Sequence, residues 1–305
     1  LGGSLLNLAY VLFLLYTYNT TGQETITFSL PWIPQLGVSL SLMMDGISLM
    51  LTILSSIIMP MVLYASLNRD YPDRHVLYAL MMLMDAAMAG SFIAADGFLF
   101  YLFWEIALIP IYFICLKWGG EGRQRITLKF FLYTMLGSLF MLFSFIYLYQ
   151  HTPDKTFAIQ ALYEAGRSLP VHEQGLVFAG IFLAFAIKMP IFPLHTWQPE
   201  TYYIAPTPGA MLLSGIMLKM ATYGIIRWLI PVVPQGLAEY GIYAIALSVV
   251  SILYASFISI VQKDYKRLIA FASIAHVGLI SAGLLSANVH SIQGGLVEML
   301  SHGIN

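Results

Sequence analysis

The chain has 305 residues, of which 59% are hydrophobic and 10% charged, with a formal net charge of -1. That composition is that of an integral membrane protein and excludes a soluble domain built around a large core. The near-neutral charge offers nothing to nucleic acid, and the single cysteine, Cys115, excludes a disulfide within the chain.

Ten apolar segments are expected to be membrane helices, at residues 4–18, 42–67, 76–95, 97–117, 127–149, 176–197, 208–230, 237–261, 267–286 and 291–305. The expected fold is all-α and polytopic. No methionine starts the chain and no cleavable signal peptide is visible. Its ends fall inside apolar runs, so it reads as part of a longer protein. Little more than Asp96 separates the third and fourth segments, which predicts a tight helical hairpin. Two connections are long. Residues 19–41 carry Pro31 and Pro34 and predict an extended or turn-rich crossing, and residues 150–175 are polar, with Pro153 and Pro170.

Lysine and arginine near the helix ends set the expected orientation. Arg69, Arg74, Lys117, Arg123, Arg125, Lys129, Lys263, Lys266 and Arg267 fall on one side, against Lys155, Arg167 and Arg227 on the other. This bias puts loops 68–75, 118–126, 198–207 and 262–266 in the cytoplasm, and the two long connections outside.

The run LVFAGIFLAFAIKMPIFPLHTW, residues 176–197, is long enough to span a bilayer and holds Lys188 near its middle. A charge at that depth costs about 2.5–3.5 kcal/mol on insertion scales. Pro190 and Pro193 follow at once. Each lacks a backbone donor and clashes with the preceding turn, so the helix is expected to break just after Lys188. Broken backbone at membrane depth persists only under protein or beside a wet cavity. An ion or proton site is therefore the favoured reading over a lysine that snorkels to the interface.

Other ionisable residues lie at a similar depth. Glu105 is central in the segment 97–117, Lys219 in 208–230 and His276 in 267–286, and His302 lies well inside the last segment. At about 1.5 Å per residue these positions form a row parallel to the membrane plane, an arrangement suited to proton hopping. Burial and opposite neighbours pull the proton affinities of such groups in opposing directions. Each has a plainer reading. Glu105 could be a structural ion-pair partner. His276 and His302 could be packing histidines, or a pair of haem ligands. His195 is a proton inlet or an interfacial histidine. Asp85 and Glu298 also interrupt apolar segments, and Glu298 shares a helix face with His302 at a spacing of four. Asp45 opens the second helix as a cap or a site. The chain has no CxxC cluster, GxGxxG or P-loop, so no cofactor or metal is expected in it.

Five stretches carry a resemblance: FLFYLFWEIALIPIYF around Glu105, AFAIKMPIFPLHTW around Lys188, APTPGAMLLSGIMLKMATYGIIR around Lys219, KDYKRLIAFASIAHVG around His276, and the closing MLSHGIN. Together and in this order they resemble the antiporter-like membrane subunits of respiratory complex I, the proton-pumping NADH:quinone oxidoreductase. FSLPWIP followed by MDGISL places the resemblance nearest the M-type branch, subunit 4 in mitochondria. It covers essentially the whole chain.

The resemblance implies two inverted five-helix repeats, each with a broken helix. Residues 1–75 would be N-terminal helices and the outer crossing, 76–230 the first repeat, and 231–305 the start of the second. It implies that Glu105 and Lys188 form a charge pair, that Lys219 connects them onward, and that His276 and His302 continue the relay. NADH, FMN, iron–sulfur clusters and quinone would belong to partner subunits, including neighbouring antiporter-like ones, in a bacterial cytoplasmic membrane. One departure is visible. The family's H-x-W-L-P-D-A-H pattern reads here as His195-Thr196-Trp197-Gln198-Pro199-Glu200-Thr201-Tyr202, without the second histidine. A subunit of an Mrp-type cation/proton antiporter or of a membrane-bound hydrogenase is the alternative. A passive membrane scaffold is a further one, disfavoured by the buried charges.

Overall fold

The computed structural model describes residues 1–305 apart from Gln23 and Asn68. The expected crossing 19–41 and loop 68–75 each contain one of these two, which lie outside the described residues. Among the described residues, eight helical stretches are long and apolar enough to cross a membrane. They are Gly46–Leu67 (α2), Arg74–Ile93 (α3), Gly97–Trp118, Arg123–His151 (α6), Val171–Lys188 (α8), Thr207–Leu229, Pro234–Ile260 (α12) and Tyr265–Leu285 (α13). Two more helices, Gly2–Thr21 (α1) and Val289–Ile304 (α14), occupy the first and last expected segments.

The chain is not wholly helical. The crossing after α1 is an antiparallel hairpin of Ile26–Ile33 (β1) and Val38–Met44 (β2). The second apolar segment therefore gives its first residues to β2, and α2 begins only at Gly46. The register shifts between Pro31 and Ile33, where a proline has no donor for the ladder. Gly37 turns the hairpin with φ +61°, and a Cβ there would strike the carbonyl oxygen of Lys155.

Asp96 makes the tight hairpin expected between α3 and the next span. One carboxylate oxygen accepts from Phe98 N and Leu99 N at 3.0 and 3.1 Å, capping the helix. The other accepts from Ser39 N at 3.1 Å and so fastens β2. The span itself has an interruption at Ala107, between Gly97–Ile106 (α4) and Leu108–Trp118 (α5). Pro110 lacks the N–H that would bond Ile106, four residues earlier.

The 150–175 connection holds a short helix, Ile159–Ser168 (α7), and α8 begins at Val171 rather than 176. The expected loop 198–207 is largely a buried short helix, Gln198–Ile204 (α9), which packs on α6 and α13.

Contacts gather the loops into two sets. Lys117 pairs with Asp73 at 2.7 Å, Trp118 Nε1 donates to Pro72 O, Gly120 N donates to Ile204 O, and Lys266 Nζ donates to Ala205 O. The Lys117 ammonium holds the Asp73 carboxyl below its usual range. In the other set, Phe157 N donates to Gly37 O and Arg167 Nε to Pro231 O.

Candidate functional site

α8 ends at Lys188, and regular helix resumes only at Gln198. Pro190 cannot donate to Ala186 O, which instead accepts from Ile191 N at 2.8 Å. Ile187 O is taken by the Trp197 indole, also at 2.8 Å. Phe192 N donates to Ser251 Oγ on α12 at 3.1 Å. Side chains thus satisfy backbone that lipid could not.

The break presents Lys188, 2% exposed, to α4. Its Nζ lies 3.8 Å from the centre of the Trp104 ring and donates to Trp104 O at 3.3 Å. Among the described residues no hydrogen bond or salt bridge joins Lys188 directly to Glu105, the charge partner that the resemblance implies. Glu105 is the next residue along α4 and is near enough for the two charges to interact, but the immediate partner of the ammonium is the tryptophan. The Glu105 atom Oε1 is buried without a hydrogen-bond partner among the described residues. The signal missed in the sequence is Trp104 itself, since indole is the strongest aromatic partner of a cation.

The Thr207–Leu229 span is no plain α-helix. Thr207–Leu212 (α10) leads into a π-turn, Leu213–Met217, then Leu218–Gly224 (α11), then a second π-turn, Ile225–Leu229. Such turns concentrate at functional sites. Gly224 lets α11 approach α8, since a Cβ there would strike the Phe185 ring. Lys219, 2% exposed, stands between the two π-turns. Its Nζ donates to Ser214 O in the first one at 2.6 Å.

Lys219 also contacts His302 of α14, with Nζ 2.6 Å from Nδ1. His302 Nε2 lies 2.9 Å from Ser273 Oγ on α13. A lysine ammonium donates to Nδ1, which places the imidazole hydrogen on Nε2, toward Ser273. Both ring nitrogens of His302 are therefore engaged, which does not suit the haem-ligand alternative. The His276 ring centre lies 6.0 Å from that of His302, and His276 Nδ1 is 2.9 Å from Glu298 Oε1. Lys219, His302, His276 and Glu298 form one cluster across three helical elements. Ser273 was legible in principle, because it precedes His276 by three residues and shares its face.

Besides Lys188 and Glu105, three expected residues stand apart from this cluster. Asp85 is buried and accepts from Ser55 Oγ on α2. His195 is buried beside Phe192 and Tyr254, with Nδ1 unpartnered among the described residues. Asp45 is both a cap and an ion-pair partner: Oδ1 accepts from Ser48 N at 3.0 Å, and Oδ2 pairs with Arg227. Tyr202, in place of the family's second histidine, is buried, with its hydroxyl unpartnered among the described residues.

This arrangement can pass a proton between Lys219 and His302 without side-chain displacement, because donor and acceptor already touch.

Comparison with known proteins places the chain. Residues 94–305 match the family described as NADH:quinone oxidoreductase/Mrp antiporter, TM. The chain is 38% identical over 297 residues to the NADH-quinone oxidoreductase subunit M of Rickettsia bellii (strain RML369-C), covering 97% of this chain and 59% of that protein. It spans about six-tenths of the length of that curated relative. A chain of respiratory complex I from Thermus thermophilus with bound NADH superposes with a TM-score of 0.90 at 29% identity, covering 99% of this chain and 63% of that one. A chain of the Mrp complex from Dietzia sp. DQ12-45-1b is similar in fold alone, with a TM-score of 0.88 at 20% identity over 99% of this chain and 33% of its own. With matched family residues running from Ala94 through the charged helices to Asn305, the chain belongs to the NADH:quinone oxidoreductase/Mrp antiporter membrane family.

Proposed function

We propose that this chain moves protons as a membrane subunit of an NADH:quinone oxidoreductase, in a bacterial cytoplasmic membrane. The observation that carries this reading is the 2.6 Å contact between buried Lys219 and His302. A charged lysine at this depth is costly, and a scaffold has no need of one. The protonated amine donates to Nδ1 of His302. Transfer of that proton leaves a neutral amine and an imidazolium, whose Nε2–H still donates to Ser273. His276 and Glu298 lie next in line and would receive the charge. On the other side, Lys188 would supply Lys219, with Glu105 nearby to offset its charge. Residues 76–230 would form the first five-helix repeat and 231–305 open the second.

Electron transfer belongs, on this reading, to other subunits carrying FMN, iron–sulfur clusters and a quinone site, and this chain holds no redox group. The energy for proton movement reaches it through neighbouring membrane subunits. Sequence identity of 38% to a quinone oxidoreductase subunit, against 20% to an Mrp chain, favours this reading over the antiporter.

The test is Lys219→Met in the complete complex, with assembly, NADH–quinone turnover and proton movement measured in sealed membranes. Assembled complex with a reduced proton yield per NADH is expected. Full yield from an assembled Lys219→Met complex overturns the reading.

A further inference from the structure

Arg227 is among the most extensively tied residues in the chain, and the relay described above does not use it. Its guanidinium pairs with Asp45, at the start of α2, and also contacts Ser48 Oγ at 3.4 Å. Its Nε donates to Tyr223 Oη at 3.1 Å. The Tyr223 hydroxyl in turn donates to Phe92 O at the end of α3, at 2.6 Å. The carbonyl of Arg227 is itself held, accepting from Tyr163 Oη on α7 at 2.7 Å. Side chain and backbone are therefore fixed to three different helices.

The place where this clamp closes matters. Arg227 lies inside the second π-turn, and Tyr223 lies just before it, on α11. The clamp ties the turn to the helix that precedes it. A π-turn accommodates an extra residue relative to α-helix, and relaxing it shifts the register on one side by one residue. One residue is about 100° of rotation. Lys219 stands on α11, one turn before Tyr223 and on the same face. A rotation of that size would carry its ammonium away from His302.

We infer that the Asp45–Arg227–Tyr223 clamp is a positioning device that holds the second π-turn and thereby keeps Lys219 directed at His302. Arg227 is suited to this because its planar fork reaches Asp45 and Tyr223 at once, which a lysine ammonium on a single stem cannot reproduce. Asp45 divides its two oxygens between capping α2 and holding Arg227, so the clamp refers the phase of α11 to the start of α2. The inference rests on the proton-moving role proposed for Lys219.

The experiment uses the complete complex and compares Arg227→Lys, Tyr223→Phe and Lys219→Met, each alone, with Arg227→Lys also combined with Lys219→Met. Arg227→Lys keeps the charge beside Asp45, and Tyr223→Phe keeps the ring, so both preserve packing. Assembly, NADH–quinone turnover and proton yield per NADH are read across a pH series. Expected are normal assembly, a proton yield falling toward the Lys219→Met level with an altered pH profile, and no further loss in the combined variant, since both changes act on one step. Full yield with an unchanged pH profile in Arg227→Lys and Tyr223→Phe, when Lys219→Met has lost it, overturns the clamp alone. Loss of assembly in Arg227→Lys while Lys219→Met assembles also overturns it, in favour of a purely structural ion pair. Full yield in Lys219→Met removes the underlying reading instead.

Discussion

Lys219 Nζ and His302 Nδ1 meet at 2.6 Å although 83 residues separate them in the chain. His302 meets Ser273 through its other nitrogen. An asparagine in place of His302 could still accept from the ammonium through its side-chain oxygen, but it could not take the proton. His302→Asn is therefore expected to assemble and to slow proton movement on the order of 10²-fold or more, the usual loss of an acid–base group. Proton-coupled fluorescence quenching in sealed membranes reads this. An unchanged rate would reduce His302 to a packing residue.

Trp104 offers Lys188 both a ring face and a carbonyl. Trp104→Phe keeps an aromatic face, while Trp104→Leu removes it. The difference between the two isolates the cation–π contact, expected at about 0.5–2 kcal/mol. It should appear as a lower thermal midpoint and lower pumping for the leucine variant. Equal behaviour of the two would mean that the ring supplies only volume.

The Trp197 indole is the donor that satisfies Ile187 O at the helix break. Trp197→Phe would leave that carbonyl buried and unpaired, at a cost of about 1–3 kcal/mol. Trp118→Phe is the control, because its indole also donates to a backbone carbonyl, Pro72 O, but in an exposed setting. Thermal unfolding of the two variants should separate them clearly. Matching midpoints would show that the break does not depend on this bond.

Asp73 and Lys117 form an exposed pair at 2.7 Å, and Lys117 holds the Asp73 carboxyl below its ordinary 3.8. A depressed carboxylate stabilises the folded state above its ordinary value, and that contribution disappears as pH falls through the lowered one. Asp73→Asn is expected to cause a small loss of thermal midpoint at neutral pH that closes as acid protonates the parent. About 1 M salt should also shrink the difference by screening. A gap that persists in acid would point to a packing effect instead.

The long apolar helices, the helix break at Lys188 and the turn at Asp96 were all legible in the sequence by itself. Each follows from local properties: run length against bilayer thickness, the missing proline donor, and a short carboxylate ahead of a helix. The spacing of Glu298 and His302 was likewise a fact of one helix. Tertiary structure decided which groups touch. Lys188 lies against Trp104 rather than in contact with Glu105, and His276 meets Glu298 while His302 meets Lys219. Sequence periodicity places a residue on a face, but the facing partner depends on how separate helices pack. The hairpin β1–β2 was hidden because an apolar strand and the start of an apolar helix look alike over a few residues. The π-turns flanking Lys219 were hidden as well, since apolarity alone does not distinguish them from α-helix. Arg227, inside the second of them, pairs with Asp45 at the start of α2, a contact between helices that are distant in the chain.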